Sequence, residues 1–308
     1  MKVVISEFLD EAALGGFPAE WSIVYDPGLV DERTELLAEL HDADAIVVRN
    51  RTQVNAELLK AAPKLKVVGR LGVGLDNINL GCCSDSGVIV KPAIGANTRS
   101  VAEYVIGAAM SLIRGAYTSN AAMLAGEWPR GPLGQGGEIS GKVMGLWGFG
   151  GIARAVAARA RAMGMDVIAF DPFVAEDDPA WEKIEPVDRE ALLARADVIS
   201  LHVPLTSETK DMIGAEAIAA MKSSAILINT ARGGVVDEAA LAAALKSGDL
   251  GGAALDVFAE EPLTAEAAAV FEGAPNLILT PHIAGVTAEA NSRVSHITVK
   301  HVVTVLGG

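Results

Sequence analysis

Cysteine is almost missing from this chain. The two present in 308 residues, Cys82 and Cys83, are neighbours. Adjacent thiols cannot staple distant segments, so a disulfide framework is excluded and a reducing, cytoplasmic setting is expected. Both read as small core residues. Positive charge is also scarce: 25 Lys and Arg stand against 39 Asp and Glu, a net charge of −14. That balance argues against nucleic acid and anionic membrane surfaces as partners. Apolar runs stay well short of the roughly 18 uncharged residues a membrane span needs. The opening residues, MKVVISEFLDE, lack a secretion-signal pattern and read as a first strand. No metal site is expected.

What is present is apolar and rhythmic. Hydrophobic residues make up 51% of the chain, ample for two cored domains at this length. Short β-branched runs alternate with helical stretches, the pattern of α/β folds with parallel sheets. The spacing predicts strands at 3–5, 45–48, 65–68 and 88–90, followed by a helix-rich passage over 100–124. Strands resume at 143–147, 166–170, 198–201, 225–228, 253–256 and 277–279, and 287–305 has helical apolar spacing. The stretch 126–141, GEWPRGPLGQGGEISG, reads as a long loop, and such loops within compact domains tend to have a purpose. Trp128 inside it reads either as an interface anchor or as cover for its own loop.

The most specific signal is KVMGLWGFGGIAR (142–154). An apolar strand runs into Gly148-Phe149-Gly150-Gly151-Ile152-Ala153, and a helical stretch follows. This is the context a dinucleotide fingerprint requires. Gly148 permits the tight turn, Gly150 admits the pyrophosphate close to the backbone, and Ala153 is small enough for helix–strand packing. The next strand ends at Asp171, placed to accept from a ribose 2′-hydroxyl and to repel a 2′-phosphate. NAD is therefore expected rather than NADP.

Three charged residues follow later apolar runs: Arg232 in ILINTARGG, Glu261 in LDVFAEEP and His282 in LILTPHIAG. Arginine can grip a planar carboxylate through two hydrogen bonds. Histidine can take a hydroxyl proton near neutral pH. A carboxylate beside it would orient the ring and favour its protonated form. Spacing alone does not choose between Glu260 and Glu261. Arg49 and Arg51 follow one predicted strand and Arg70 follows another. Ends of successive parallel strands share a sheet edge, so these cations could converge on one cleft.

Taken in order, RLGVGLDNI (70–78), GANTRSVAEY (95–104), GLWGFGGIAR (145–154), TARGG (230–234), DVFAEEP (256–262) and PHIAG (281–285) resemble the D-isomer-specific 2-hydroxyacid dehydrogenases. The resemblance runs from about 45 to 282 and includes phosphoglycerate dehydrogenases. It implies two Rossmann-like, doubly wound parallel-sheet domains with the active site in the cleft between them. The substrate domain would be discontinuous and flavodoxin-like, 1–96 plus 287–308, around an NAD-binding domain, 97–286. It implies Arg232, Glu261 and His282 as the catalytic trio, with Glu261 chosen because the family acid directly precedes proline. It implies cofactor contacts from Gly148, Phe149, Gly150, Gly151, Ile152, Asp171, Thr230, Ala231 and Gly285. Asp256 would face the nicotinamide carboxamide. His202, Pro204 and Thr209 would line the adenine or nicotinamide pocket, although His202 reads equally as structural. Substrate would meet Val73, Gly74 and Asn97, besides Arg232 and His282. Arg49 and Arg70 match arginines that meet the distal phosphate in phosphoglycerate dehydrogenases. The expected activity is NAD-dependent oxidation of a small D-type 2-hydroxy acid with a second anion, such as 3-phosphoglycerate or 3-sulfolactate. Glyoxylate or hydroxypyruvate reduction is the alternative, and an NAD(H)-sensing corepressor-like protein a reading of another class. A homodimer through the cofactor domain is expected. Arg51, Lys91 and Arg99 have no assigned role.

Overall fold

The structure is a computed structural model and describes residues 1–307. The chain divides into two compact units: Met1–Asn97 together with the segment from Val286 onward, and Thr98–Gly285.

The first unit is built on five parallel strands, β1 (Lys2–Ile5), β2 (Ser22–Tyr25), β3 (Ala45–Val48), β4 (Val67–Arg70) and β5 (Ile89–Pro92), in the order β2-β1-β3-β4-β5. The central strand β3, AIVV, is buried along its whole length, as befits a parallel strand covered on both faces. The edge strands β2 and β5 are only partly buried. The helix Ala288–Leu306 lies on this sheet and buries Val294, Val299, Val302 and Leu306. Thr287 caps its first turn by accepting from the Ala290 N–H, and Gly307 ends it with φ 85°. Close approach depends on Gly69: a Cβ there would stand 2.8 Å from a Val302 methyl and 2.9 Å from a Thr298 methyl.

Three expectations change here. The strand predicted at 65–68 lies two residues later, so Arg70 ends β4 rather than following it. Leu65 is buried, but its N–H bonds the Ala62 carbonyl and so still belongs to the preceding turn. Gly69, with no side chain, concealed the strand's continuation. The pattern also missed β2, a half-covered edge strand. Of the two cysteines, Cys83 is buried and Cys82 only partly so.

The second unit carries seven parallel strands: β6 (Val143–Trp147), β7 (Asp166–Phe170), β8 (Glu185–Pro186), β9 (Val198–Leu201), β10 (Ile226–Asn229), β11 (Gly252–Leu255) and β12 (Leu277–Leu279). Their order is β12-β11-β10-β9-β6-β7-β8, a doubly wound sheet. Chain direction across the sheet reverses between β6 and β9. In such folds ligands bind outside the carboxyl ends of the strands at this switch point. One face packs the helices Thr98–Arg114 and Gly151–Ala162 through Val101, Val105, Ala109, Val156 and Ala160. The other packs Leu192, Leu241, Leu245, Phe258 and Phe271. The 126–141 stretch holds one short helix, Arg130–Leu133. Trp128 is 74% exposed, so it does not cover its own loop.

Candidate active site

The glycine turn lies at the switch point. Gly148 has φ +89°, and a Cβ there would come within 2.6 Å of the His202 carbonyl oxygen. Only glycine fits. Cβ atoms at Gly150 and Gly151 would meet no protein atom within 4 Å, so protein packing does not require these glycines. The backbone there is open to close approach from outside the protein. Gly150 caps the helix Gly151–Ala162 with no side chain closing its first turn, leaving N–H groups and the positive dipole end for an anion. Ala153 is fully buried beneath, and Ile152 packs against the same core.

Asp171 ties this turn to β7. One oxygen accepts the Phe149 N–H at 2.7 Å and the other the Phe173 N–H at 2.9 Å. Phe149 is held firmly within the protein. Its ring is 1% exposed and stacks on Trp181 at 4.8 Å, and its carbonyl accepts from Arg154 Nε. Ring, N–H and carbonyl are all engaged by the protein, so Phe149 braces the turn.

The three charged residues follow the carboxyl ends of β10, β11 and β12. Asn229, ending β10, accepts from the Ala231 N–H and donates to the Arg232 carbonyl, folding TARGG into a tight turn. Arg232 Nη1 donates to the Ala231 carbonyl at 2.6 Å. Gly233 presses against the next loop: a Cβ there would overlap the Phe258 carbonyl oxygen at 1.7 Å. That loop delivers Glu261. Its Oε1 accepts the Phe258 N–H at 3.0 Å, and its Oε2 stands 2.7 Å from His282 Nδ1. Of the adjacent acids, Glu261 is thus the one that meets the histidine. A carboxylate at Nδ1 places the proton there and leaves Nε2 as the basic nitrogen. The pair is partly exposed, so it orients more than it stabilises.

His282 has φ +55°, a conformation uncommon for any residue but glycine. The loop that holds it there is built by Asp256, which is 1% exposed. Its carbonyl accepts the His282 N–H at 2.8 Å. Its carboxylate accepts the N–H groups of Ile283 and Ala284, each at 2.8 Å, and the Thr280 hydroxyl at 2.6 Å. Asp256 therefore acts as an internal anchor for the histidine loop. Thr280 gives its proton to Asp256, so the Tyr104 hydroxyl, 2.6 Å away, must donate to Thr280. Burial raises the Tyr104 pKa and keeps that donor protonated. Sequence reasoning missed Tyr104 and Thr280, although both lie inside the quoted motifs.

The remaining cofactor candidates divide. Thr230 Oγ1 is buried with no hydrogen-bond partner, an orphan of the kind a ligand satisfies. Ala231 and Gly285 lie in turns at the same sheet edge. His202 bonds Ser200 Oγ through Nε2 at 2.9 Å, and burial pushes its pKa down to about 4. It is neutral at pH 7 and braces the end of β9. Thr209 spends its hydroxyl within its own loop: it donates to the Pro204 carbonyl at 2.6 Å and accepts the Thr206 N–H at 2.8 Å. It supports its own loop, and Pro204 is exposed beside it.

In the first unit, the register pairs Val48 with Arg70, so Arg49 and Arg70 share the carboxyl edge of β3 and β4. Arg49 donates to Asn291 Oδ1 at 3.0 Å and lies 5.8 Å from the Phe8 ring centroid. Burial draws its pKa below the usual arginine value while Glu7 opposes that, and it stays charged. Arg70 folds back over Gly72 and donates to the Leu71 carbonyl. A Cβ at Gly72 would occupy the place of its Nη1. Val73 is 36% exposed on the following turn and Gly74 is half-buried. Asn97 Oδ1 is buried without a partner. Arg51 turns away and pairs with exposed Asp31.

Residues 106–284 match the family described as "D-isomer specific 2-hydroxyacid dehydrogenase, NAD binding domain". The chain is 55% identical over 306 residues to an (S)-sulfolactate dehydrogenase of Chromohalobacter salexigens, covering 99% of this chain and 98% of that protein. It is 40% identical to a D-3-phosphoglycerate dehydrogenase of Methanocaldococcus jannaschii, covering 100% of this chain and 58% of that protein. A D-lactate dehydrogenase from Aquifex aeolicus, solved with NAD and lactic acid, superposes with a TM-score of 0.82 at 30% identity, covering 100% of this chain and 96% of that one. The chain belongs to the D-isomer-specific 2-hydroxyacid dehydrogenases. It is an NAD-dependent oxidoreductase of that family, and its second unit carries the NAD-binding domain.

Proposed function

We propose that the chain interconverts a D-configured 2-hydroxy acid bearing a second anion and the corresponding 2-oxo acid, with 3-sulfolactate and sulfopyruvate as the best-fitting pair. The observation that carries the chemistry is the 2.7 Å contact between Glu261 and His282 Nδ1, which leaves Nε2 free to exchange a proton. In the oxidising direction Nε2 accepts the substrate hydroxyl proton as the carbon–hydrogen bond gives up its hydride. NAD, when bound, supplies the hydride acceptor. Arg232 grips the carboxylate and polarises the reacting carbon–oxygen bond. In the reducing direction protonated His282 returns the proton to the carbonyl oxygen. The glycine turn, Thr230 and Gly285 hold the dinucleotide. Asp171, already bonded to the turn, disfavours a 2′-phosphate.

Support for the substrate comes from the (S)-sulfolactate dehydrogenase relative. Its (S) label agrees with a D-specific family. Sulfur raises the CH2SO3− group above the carboxylate in priority, so replacing the methyl of D-lactate by CH2SO3− changes the descriptor from R to S without moving any bond. A sulfonate is fully ionised at neutral pH, and Arg49 and Arg70 are the cations assigned to it. Val73, Gly74 and Asn97 serve the substrate on the same unit. Exposed Tyr117, Leu124 and Trp128 support a homodimer formed through the second unit. Of the described residues, no helix is long and apolar enough to cross a membrane, and a cytoplasmic location is proposed. A panel of sulfopyruvate, 3-phosphohydroxypyruvate, hydroxypyruvate and glyoxylate with NADH tests the assignment. Sulfopyruvate should give the highest kcat/KM; preference for glyoxylate would instead support a simple reductase.

A further inference from the structure

Two residues beyond the first strand lies a buried acid. Glu7 is 4% exposed, and its carboxylate accepts four consecutive backbone N–H groups from the loop after β3. Oε1 takes those of Arg49 at 2.8 Å and Thr52 at 2.9 Å; Oε2 takes those of Asn50 at 3.3 Å and Arg51 at 3.2 Å. Buried neighbours complete the clamp. Ser6 Oγ lies 3.0 Å from Thr52 Oγ1, and Asn77 donates to the Thr52 carbonyl at 2.7 Å. A loop whose N–H groups converge on one carboxylate has little freedom to shift, because each donor left unpaired in a buried site is costly.

This clamp decides where the loop's two arginines go. Phe8, the residue after Glu7, provides the ring beside the Arg49 guanidinium, and Asn291 fixes its outer nitrogen. Arg51 is sent the other way, to Asp31. One cation is thus kept at the sheet edge and the other consumed at the surface. We infer that Glu7 is a positioning residue for substrate choice: it holds Arg49 where that arginine meets the second anion. The inference rests on the reading of Arg49 given above. Glu7 itself touches no substrate. Replacing it with glutamine keeps the shape but turns an NH2 toward N–H donors, so the loop must move and carry Arg49 with it.

The test is the ratio of kcat/KM for sulfopyruvate to that for hydroxypyruvate, which carries a hydroxyl where sulfopyruvate carries the sulfonate. General loss of stability lowers both rates; misplacing Arg49 lowers the ratio. Glu7→Gln should reduce the ratio about tenfold or more, and Arg49→Met at least as much. If Arg49→Met collapses the ratio while folded Glu7→Gln keeps the wild-type value, the positioning role is overturned and the Arg49 reading survives. If Arg49→Met leaves the ratio unchanged, the Arg49 reading fails and the inference falls with it. Should Glu7→Gln not fold, Glu7→Asp keeps the charge but withdraws the carboxylate by one methylene. It is read on the same ratio, with the same two outcomes.

Discussion

Glu261 uses one oxygen to fix its own loop and the other to fix His282. Glu261→Gln keeps the volume and removes the charge, so kcat should fall by about 10²-fold or more while the KM for NADH stays within error. Steady-state kinetics with NADH and sulfopyruvate varied separately will check this. His202 makes the pH prediction. Burial depresses its folded pKa from 6.5 to about 4, so the unfolded chain binds this proton more readily. Its contribution is complete above pH 6.5 and is lost as pH falls from 6.5 toward 4, by no more than about 3 kcal/mol. His202→Gln should therefore flatten the fall in Tm between pH 7 and 5; an unchanged slope would remove His202 as its cause. At this scale the motifs revealed residue types but not contacts. The choice between Glu260 and Glu261 needed the distance to Nδ1. The structural parts played by Phe149, Asp256 and Thr209 show only in their hydrogen bonds to neighbouring backbone.

Six strands of the second unit were legible because each is a short, mostly apolar run, while the two-residue, exposed β8 (Glu185–Pro186) gave no such signal. Those at β6, β7, β9 and β12 match their predicted spans, and β10 and β11 differ by one residue. In the first unit β2 escaped because half-buried SIVY alternates weakly, and β4 was misplaced because its third residue is glycine. Glycines also mark where elements touch, which no periodicity reveals. Gly233 lets the Arg232 turn press on the Phe258 carbonyl. Gly233→Ala should force the two loops apart, lowering stability by about 1–3 kcal/mol and reducing turnover further than stability alone explains. Thermal unfolding paired with kcat on the folded fraction separates the two effects. Gly69→Ala makes a control, with a comparable loss of Tm but normal kcat per folded molecule.

For the molecule as a whole, a chain of net charge −14 must bind an anion, so the attraction has to be local. Under the proposed function that attraction comes from Arg232, set by the β10 edge of its unit, and from the Glu7-held Arg49, set by the β3 edge of its own. The assembly prediction belongs here too. If a second copy covers Tyr117, Leu124 and Trp128, sedimentation should give twice 31.8 kDa, and Trp128→Glu should shift the species toward one chain. A monomer in the wild type would end the dimer reading. The central claim is that His282, oriented by Glu261, moves the substrate proton. It is tested most directly by NADH-dependent reduction of sulfopyruvate in the wild type and in His282→Ala. A loss of about 10³-fold or more in kcat with the NADH affinity retained is predicted; near-normal turnover in His282→Ala would contradict the account.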